Sequence, residues 1–231
     1  MLLAAPINVD LNSILTATPI QFSSSITLIL FLSAITMLPF FLISVTSFIR
    51  ITIVLGTLRS AMGTQQSPPN MIIISLALFM TIFIMTPVWR DIQSQAWDPY
   101  IRGELSQTVA LTRGIEPLRN FMFNQVKEPD LALFAEFADL DVNSIKSNKD
   151  IPTYVLIPAY MISELKTAFT IAFVLFLPFV LIDLLTANIL LSLGMMMLSP
   201  VMISLPFKIL LFVIVDGFNL VVKGLMESFA Q

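Results

Sequence analysis

The sequence predicts an all-α protein of the membrane class, in which apolar helical hairpins flank a small polar helical region. Three observations predict it. Of 231 residues, 57% are hydrophobic and only 12% are charged, where an average soluble domain carries about 25% charged residues. Long apolar runs recur along the chain, cut by prolines and a few isolated charges. Nothing alternates with period two over a useful length, which leaves strands without support.

Residues 1–25 form an N-terminal arm whose single charge is Asp10. Met1-Leu2-Leu3-Ala4-Ala5-Pro6 has the look of a signal-peptide tail, but it lacks a basic n-region and is short. It reads as the start of a mature chain, with an extracytoplasmic arm as the other reading. Residues 26–89 form the first apolar hairpin. Ile26–Ile49 is uncharged over about 24 residues, enough to cross a hydrocarbon core of about 30 Å. Pro39, near its middle, is expected to kink or break it. Arg50 and Arg59 precede the breaker Gly63-Thr64-Gln65-Gln66-Ser67-Pro68-Pro69-Asn70. By the positive-inside rule this loop is cytoplasmic. Met71–Trp89 is the second apolar run, with Pro87 near its end and Trp89 suited to an interface.

Residues 90–158 are the water-soluble region. Helices are expected to start at Pro117 and at Pro129. Leu118, Phe121, Met122 and Val126 follow the first at helical spacing, as do Leu133, Phe134, Phe137 and Leu140 after the second. Asp141–Asp150 is polar and reads as a solvated loop. Residues 159–231 form the second hairpin, turning at 194–200, Gly194-Met195-Met196-Met197-Leu198-Ser199-Pro200. Gly194 is a natural helix stop, and Ser199-Pro200 is a natural start with Ser as N-cap and Pro at the first helical position. Three flexible thioethers then sit at a bend. From these residues alone they read as packing, the commonest use of Met.

Composition also excludes. The net charge of −3, with 12 scattered Lys and Arg, leaves no basic face for nucleic acid. The chain has neither Cys nor His, so disulfides, thiolate metal sites and the commonest general base are missing. Seven glycines in no cluster make no phosphate-cradling loop. No catalytic residue, cofactor or metal is expected.

The charges within the last hairpin need an account. Asp183, Lys208 and Asp216 interrupt apolar runs, with Glu164 and Lys166 at the base and Lys223 near the end. A charge facing lipid at mid-depth costs at least about 2.5–3.5 kcal/mol, so these groups face protein or water, or are paired. Lys208 and Asp216 share a helical stripe, but eight residues separate them by about 12 Å, too far to pair. Asp183 and Asp216 are therefore candidate buried charges. Glu164 is the available acid for Lys208. Pro39, Pro87, Pro178, Pro200 and Pro206 free backbone groups that bare lipid leaves unsatisfied. Burial in an oligomer explains charges and prolines together.

Ser163-Glu164-Leu165-Lys166-Thr167-Ala168-Phe169, Gly194-Met195-Met196-Met197, Pro206-Phe207-Lys208 and Asp216-Gly217 occur in this order. Phe48-Ile49-Arg50-Ile51, Leu58-Arg59 and Pro68-Pro69-Asn70 precede them. From Ile26 to the C-terminus the chain resembles the flagellar biosynthetic protein FliP family and its counterparts in virulence type III secretion. It departs at Leu198-Ser199, where a second Pro is expected nearby, and at Phe218, where Trp is common.

The resemblance implies a non-enzymatic export-gate subunit of the bacterial inner membrane and flagellar basal body. It implies a homo-oligomer of about five copies that closes with Q and R subunits into a helical funnel. Much of that core is then expected on the periplasmic side, above the bilayer. Unfolded export substrates and membrane lipid are the remaining partners. It supports an ion pair between Glu164 and Lys208 of neighbouring subunits. It also turns Met195, Met196 and Met197 into a gasket around the export path, with Gly194, Ser199 and Pro200 fixing the bend. A small ion-channel or carrier subunit, or a purely structural assembly scaffold, are the alternative readings.

Overall fold

The computed structural model describes residues 19–64, 67–140, 150–195 and 197–229. The arm through Thr18, Gln65-Gln66, the 141–149 loop and Met196 lie outside the described residues. All regular structure among the described residues is helical. The chain divides into a unit ending at Phe41 and a unit from Leu42 to Gln231.

Helix α1 (Pro19–Val45) runs through Pro39 without stopping. The chain breaks instead at Thr46-Ser47, before α2 (Phe48–Met62). Pro39 removes a single N–H from the ladder, whereas Thr46 competes with the ladder directly. Its hydroxyl donates to the Leu42 carbonyl and accepts from the Phe48 N–H, a local alternative to the next helical turn. From Ile26 to Phe41 the helix exposes apolar side chains all round, a surface suited to lipid or protein neighbours rather than water.

The unit from Leu42 onward is organised on α2 and the 40-residue helix α8 (Thr153–Ser192). Ile51, Val54, Leu55 and Leu58 recur at helical spacing on α2 and are buried against Ala168 and Phe179 of α8. Helix α3 (Asn70–Ile84) adds Ile73, Ala77 and Met80 to the same core. Met85 ends α3, and α4 (Thr86–Ile92) leaves with Pro87 in its first turn. A π-helical turn (Gln93–Trp97) and α5 (Asp98–Ile101) continue it, bent 52° from α3. The second apolar run of the sequence is thus two helices joined at a corner.

A second core joins α6 (Gln107–Gln125), α7 (Glu128–Phe137) and the base of α8 through Met122, Ile151, Val155, Leu156 and Tyr160. Pro129 starts α7 as expected. Pro117 does not start a helix: α6 begins ten residues earlier, after the extended Ser106, and runs through Pro117. The position of each proline explains the contrast. Pro129 is the second residue of α7, after the extended N-cap Lys127, in the first turn where its missing N–H has no intrahelical partner to lose. Pro117 lies in the interior of α6 and is carried through by the turns on either side of it. The expected boundary at 158/159 falls inside α8, because Val155, Leu156, Ala159 and Tyr160 are buried and hold the helix through Pro158.

After α8 come α9 (Pro200–Ile214) and α10 (Gly217–Glu227), bent 62° from each other. Gly217 follows the corner because nothing larger fits: a methyl there would lie 2.2 Å from the Phe212 ring. By length and composition, Ile26–Val45 and Thr153–Ser192 can cross a membrane, and each bent pair adds one more span if counted whole.

Candidate functional site

Arg50 lies in the first turn of α2 with 2% of its surface exposed. A guanidinium has five N–H groups in a rigid fork, and each has an acceptor here. Nε donates to Glu164 Oε2 at 2.8 Å, and Nη2 donates to the other carboxylate oxygen and to Gln125 Oε1 at 2.9 Å. Nη1 donates to the Ser228 carbonyl at 2.9 Å and to its hydroxyl at 3.0 Å. The Phe229 ring covers the cation, 3.7 Å from Arg50 Cζ, a contact that strengthens when water is excluded. Phe229 stacks on Phe121, and Phe121 meets Tyr160 edge-on. The Tyr160 hydroxyl donates to the Thr46 carbonyl at 2.8 Å, closing the break between α1 and α2. One arginine therefore ties α2, α6, α8 and the C-terminal turn together.

Two further clasps fasten the polar helices to α8. Ser163 donates to Asp130 Oδ2 at 2.7 Å and accepts from the Lys127 N–H at 2.9 Å, while Lys166 pairs with Asp130. Burial alone would raise the Asp130 carboxyl. The hydrogen bonds from Lys166 and Ser163 and the charges of Lys166 and Lys127 outweigh it and hold the carboxyl below its ordinary value. Arg119 donates to the Ile151 carbonyl and to the Thr153 hydroxyl at the start of α8.

The third charge cluster lies between α8 and α9. Ser204 and Lys208, four residues apart on α9, both face Asp183 of α8. Lys208 Nζ donates to Asp183 Oδ2 at 2.6 Å, and Ser204 donates to Oδ1. Lys208 also donates to the Ala61 carbonyl at 3.3 Å, in the last turn of α2, where a cation is favoured.

The expected Glu164–Lys208 pair joins neighbouring subunits; within one chain Glu164 closes on Arg50 and Lys208 on Asp183. Glu164 is wholly buried and both its oxygens are engaged. Asp183 is half-buried and paired. Asp216 is exposed rather than buried. Its stripe with Lys208 does not exist, because α9 ends at Ile214 and the chain turns at Asp216 in the left-handed region, φ 52°. Asp tolerates that conformation better than most residues, and Asn219 donates to its carboxylate at 3.1 Å.

The bend at 194–200 is tightly bounded. Gly194 takes φ 74°, its N–H bonds the Leu191 carbonyl at 3.1 Å, and the Met195 N–H reaches the Leu190 carbonyl at 2.9 Å. These two bonds make a complete Schellman cap. Ser199 is extended at the N-cap and Pro200 opens α9, although the Ser199 hydroxyl makes no cap bond. Between these stops Met195 is about half exposed and Met197 fully exposed, so neither packs into the core of its own chain.

An open apolar groove of about 410 Å³ lies between α4–α5 and α6, lined by Trp89, Trp97, Tyr100, Leu111 and Ile115 among others. Among the described residues no three His, Cys, Asp or Glu side chains converge as a metal site. Sequence reasoning missed the roles of Arg50, Asp130 and Ser204. An Arg set in the apolar first turn of α2 was the available signal for the first.

A model of the FliP family matches residues 31–225. The chain is 47% identical over 222 residues to the flagellar biosynthetic protein FliP of Bacillus subtilis (strain 168), covering 96% of this chain and 100% of that protein. It is 46% identical over 205 residues to the protein of the same name from Aquifex aeolicus, covering 89% and 86% of the two chains. The relative from Pectobacterium carotovorum is also 46% identical over 205 residues, covering 89% and 79%. All-helical architecture, apolar helices of spanning length and this likeness along most of the sequence agree: the chain belongs to the FliP family of flagellar biosynthetic proteins.

Proposed function

We propose that the chain is a core subunit of the flagellar type III protein export gate in the bacterial inner membrane. About five copies assemble with Q and R subunits, and unfolded substrates pass along their common axis. Much of the assembled core stands on the periplasmic side.

The observation that carries the reading is the bend at 194–200. Its ends are fixed by a Schellman cap and by Pro200, while Met195 and Met197 stand clear of the chain's own core. Side chains held at a fixed place yet left unpacked are available to a neighbour or to a passing chain. Met suits a seal that must close and then yield, because it is unbranched and repacks against varied surfaces. An apolar constriction also offers ions and water little reason to enter.

The test replaces Met195, Met196 and Met197 together by Ala in the assembled complex and measures solute or ion flux in cells. Normal assembly with a leaky membrane is expected. Normal assembly with unchanged impermeability would assign these residues to packing and place the seal elsewhere, as would be so for a structural scaffold. Conduction by the chain reconstituted without partners would favour a channel subunit.

A further inference from the structure

The last turn of the described chain sits on a hinged arm. Helix α10 leaves α9 through a 62° corner at Val215-Asp216, where Asp216 holds φ 52°. Along its length α10 buries Gly217, Val221 and Leu225, packs the half-buried Val222 and Met226 against the core beside them, and exposes Phe218, Leu220 and Lys223. Its end is held differently. Ser228 supplies two of the five acceptors of Arg50, and Phe229 covers the guanidinium. A hinge at one end, an apolar stripe along the shaft and a multidentate polar closure at the other describe a latch.

We propose that α10 is a latch on Arg50 that controls how firmly α9 is held. Helix α9 begins at the bend and ends at the hinge. Apart from the latch, its buried anchors are few: Ser204 and Lys208 on Asp183, and Phe212 against Phe179. With the latch closed, α10 reinforces these anchors from the C-terminal end of α9. With the latch open, Ser204, Lys208 and Phe212 hold α9 unaided, and the Pro200 flank of the bend gains freedom. The link from latch to bend rests on the gate reading above; the latch itself does not.

The absence of Cys from the natural chain gives a clean test. Leu225→Cys places one thiol on the buried face of α10, where Leu225 is 1% exposed. Its reaction with N-ethylmaleimide is followed in membranes carrying the assembled complex, for the full chain and for a chain ending at Glu227. At least a tenfold faster reaction in the shortened chain is expected. Phe229→Ala in the full chain serves if the shortened one does not accumulate, and an increase of a few-fold is expected there. Equal protection in the full-length and altered chains overturns the latch. Solute flux measured on the same cells separates the second claim. Faster labelling with added leak supports control of the bend, and faster labelling without leak overturns that control and leaves the latch standing. A triple Met→Ala chain that stays tight, by contrast, overturns the gate reading alone.

Discussion

Arg50 and its partners, and the bend at 194–200, hold the chain's least ordinary residues and are built in opposite ways. Around Arg50 every donor has an acceptor, the partners come from three separate stretches of chain, and water is excluded. At the bend the fixed part is backbone, and Met195 and Met197 meet little of their own chain. The first region spends its chemistry on holding the chain together. The second is positioned by local hydrogen bonds and keeps its side chains in reserve. Buried polar closure sets the frame in this apolar protein, and exposed apolar side chains are what the frame presents.

The comparison can be broken most forcefully at Arg50. Arg50→Met strands the Glu164 carboxylate in an apolar interior, which costs about 3–5 kcal/mol. Loss of the folded chain from membranes, or a sharp fall in thermal stability in detergent, is the expected result. Arg50→Met with Glu164→Met should recover much of the loss, since an apolar pair leaves no buried charge. If the double change is as damaging as the single one, the hub is more than an ion pair. Gly217→Ala comes next. Its methyl would strike the Phe212 ring, and overpacking of this kind costs about 1–3 kcal/mol. Denaturant midpoints of purified protein report it.

Changes at the bend should be smaller for stability. Gly194→Ala puts a Cβ in the left-handed region at a cost of about 1–2 kcal/mol. Proteolysis between α8 and α9 should rise, with little change in overall unfolding. The smallest effect expected is acid-dependent. The Asp130 carboxyl titrates below its ordinary value of 3.8 in the folded chain. Its contribution is therefore whole above that pH and is lost as pH falls through the folded value. Lys166 is more than half exposed, so screening keeps the effect modest. Hydrogen exchange of α7 at pH 3 against pH 6 should show the loss, and Asp130→Asn should abolish the difference. An unchanged difference would mean that another carboxylate fastens α7.

Much of the frame was legible because its signals are local. Gly194 and Ser199-Pro200 delimit the bend, and Pro129 opens α7, each through backbone preferences of neighbouring residues. The Arg50 hub was not legible, because its partners lie 75, 114 and 178 residues away and no periodicity links such positions. The same limit hid the partners that Glu164 and Lys208 find within the chain, where the fold brings Arg50 to Glu164 and Asp183 to Lys208. Asp216 failed for a different reason. Counting along a helix assumes that it continues, and α9 stops two residues short of it.

Helix α8 carries a consequence of scale. Its 40 residues make a rod about 60 Å long at 1.5 Å per residue, about twice the hydrocarbon thickness of a bilayer. Set upright in a bilayer, a rod of that length would reach well beyond the hydrocarbon, as a mast does. Arg50 and the polar helices grip its lower half, and Met195 and Met197 stand just past its tip. A tilt of about 5° about the Glu164 grip would swing the tip, about 42 Å further along, by about 4 Å. Leverage of that kind turns a slight adjustment among buried side chains into a displacement as large as a side chain itself.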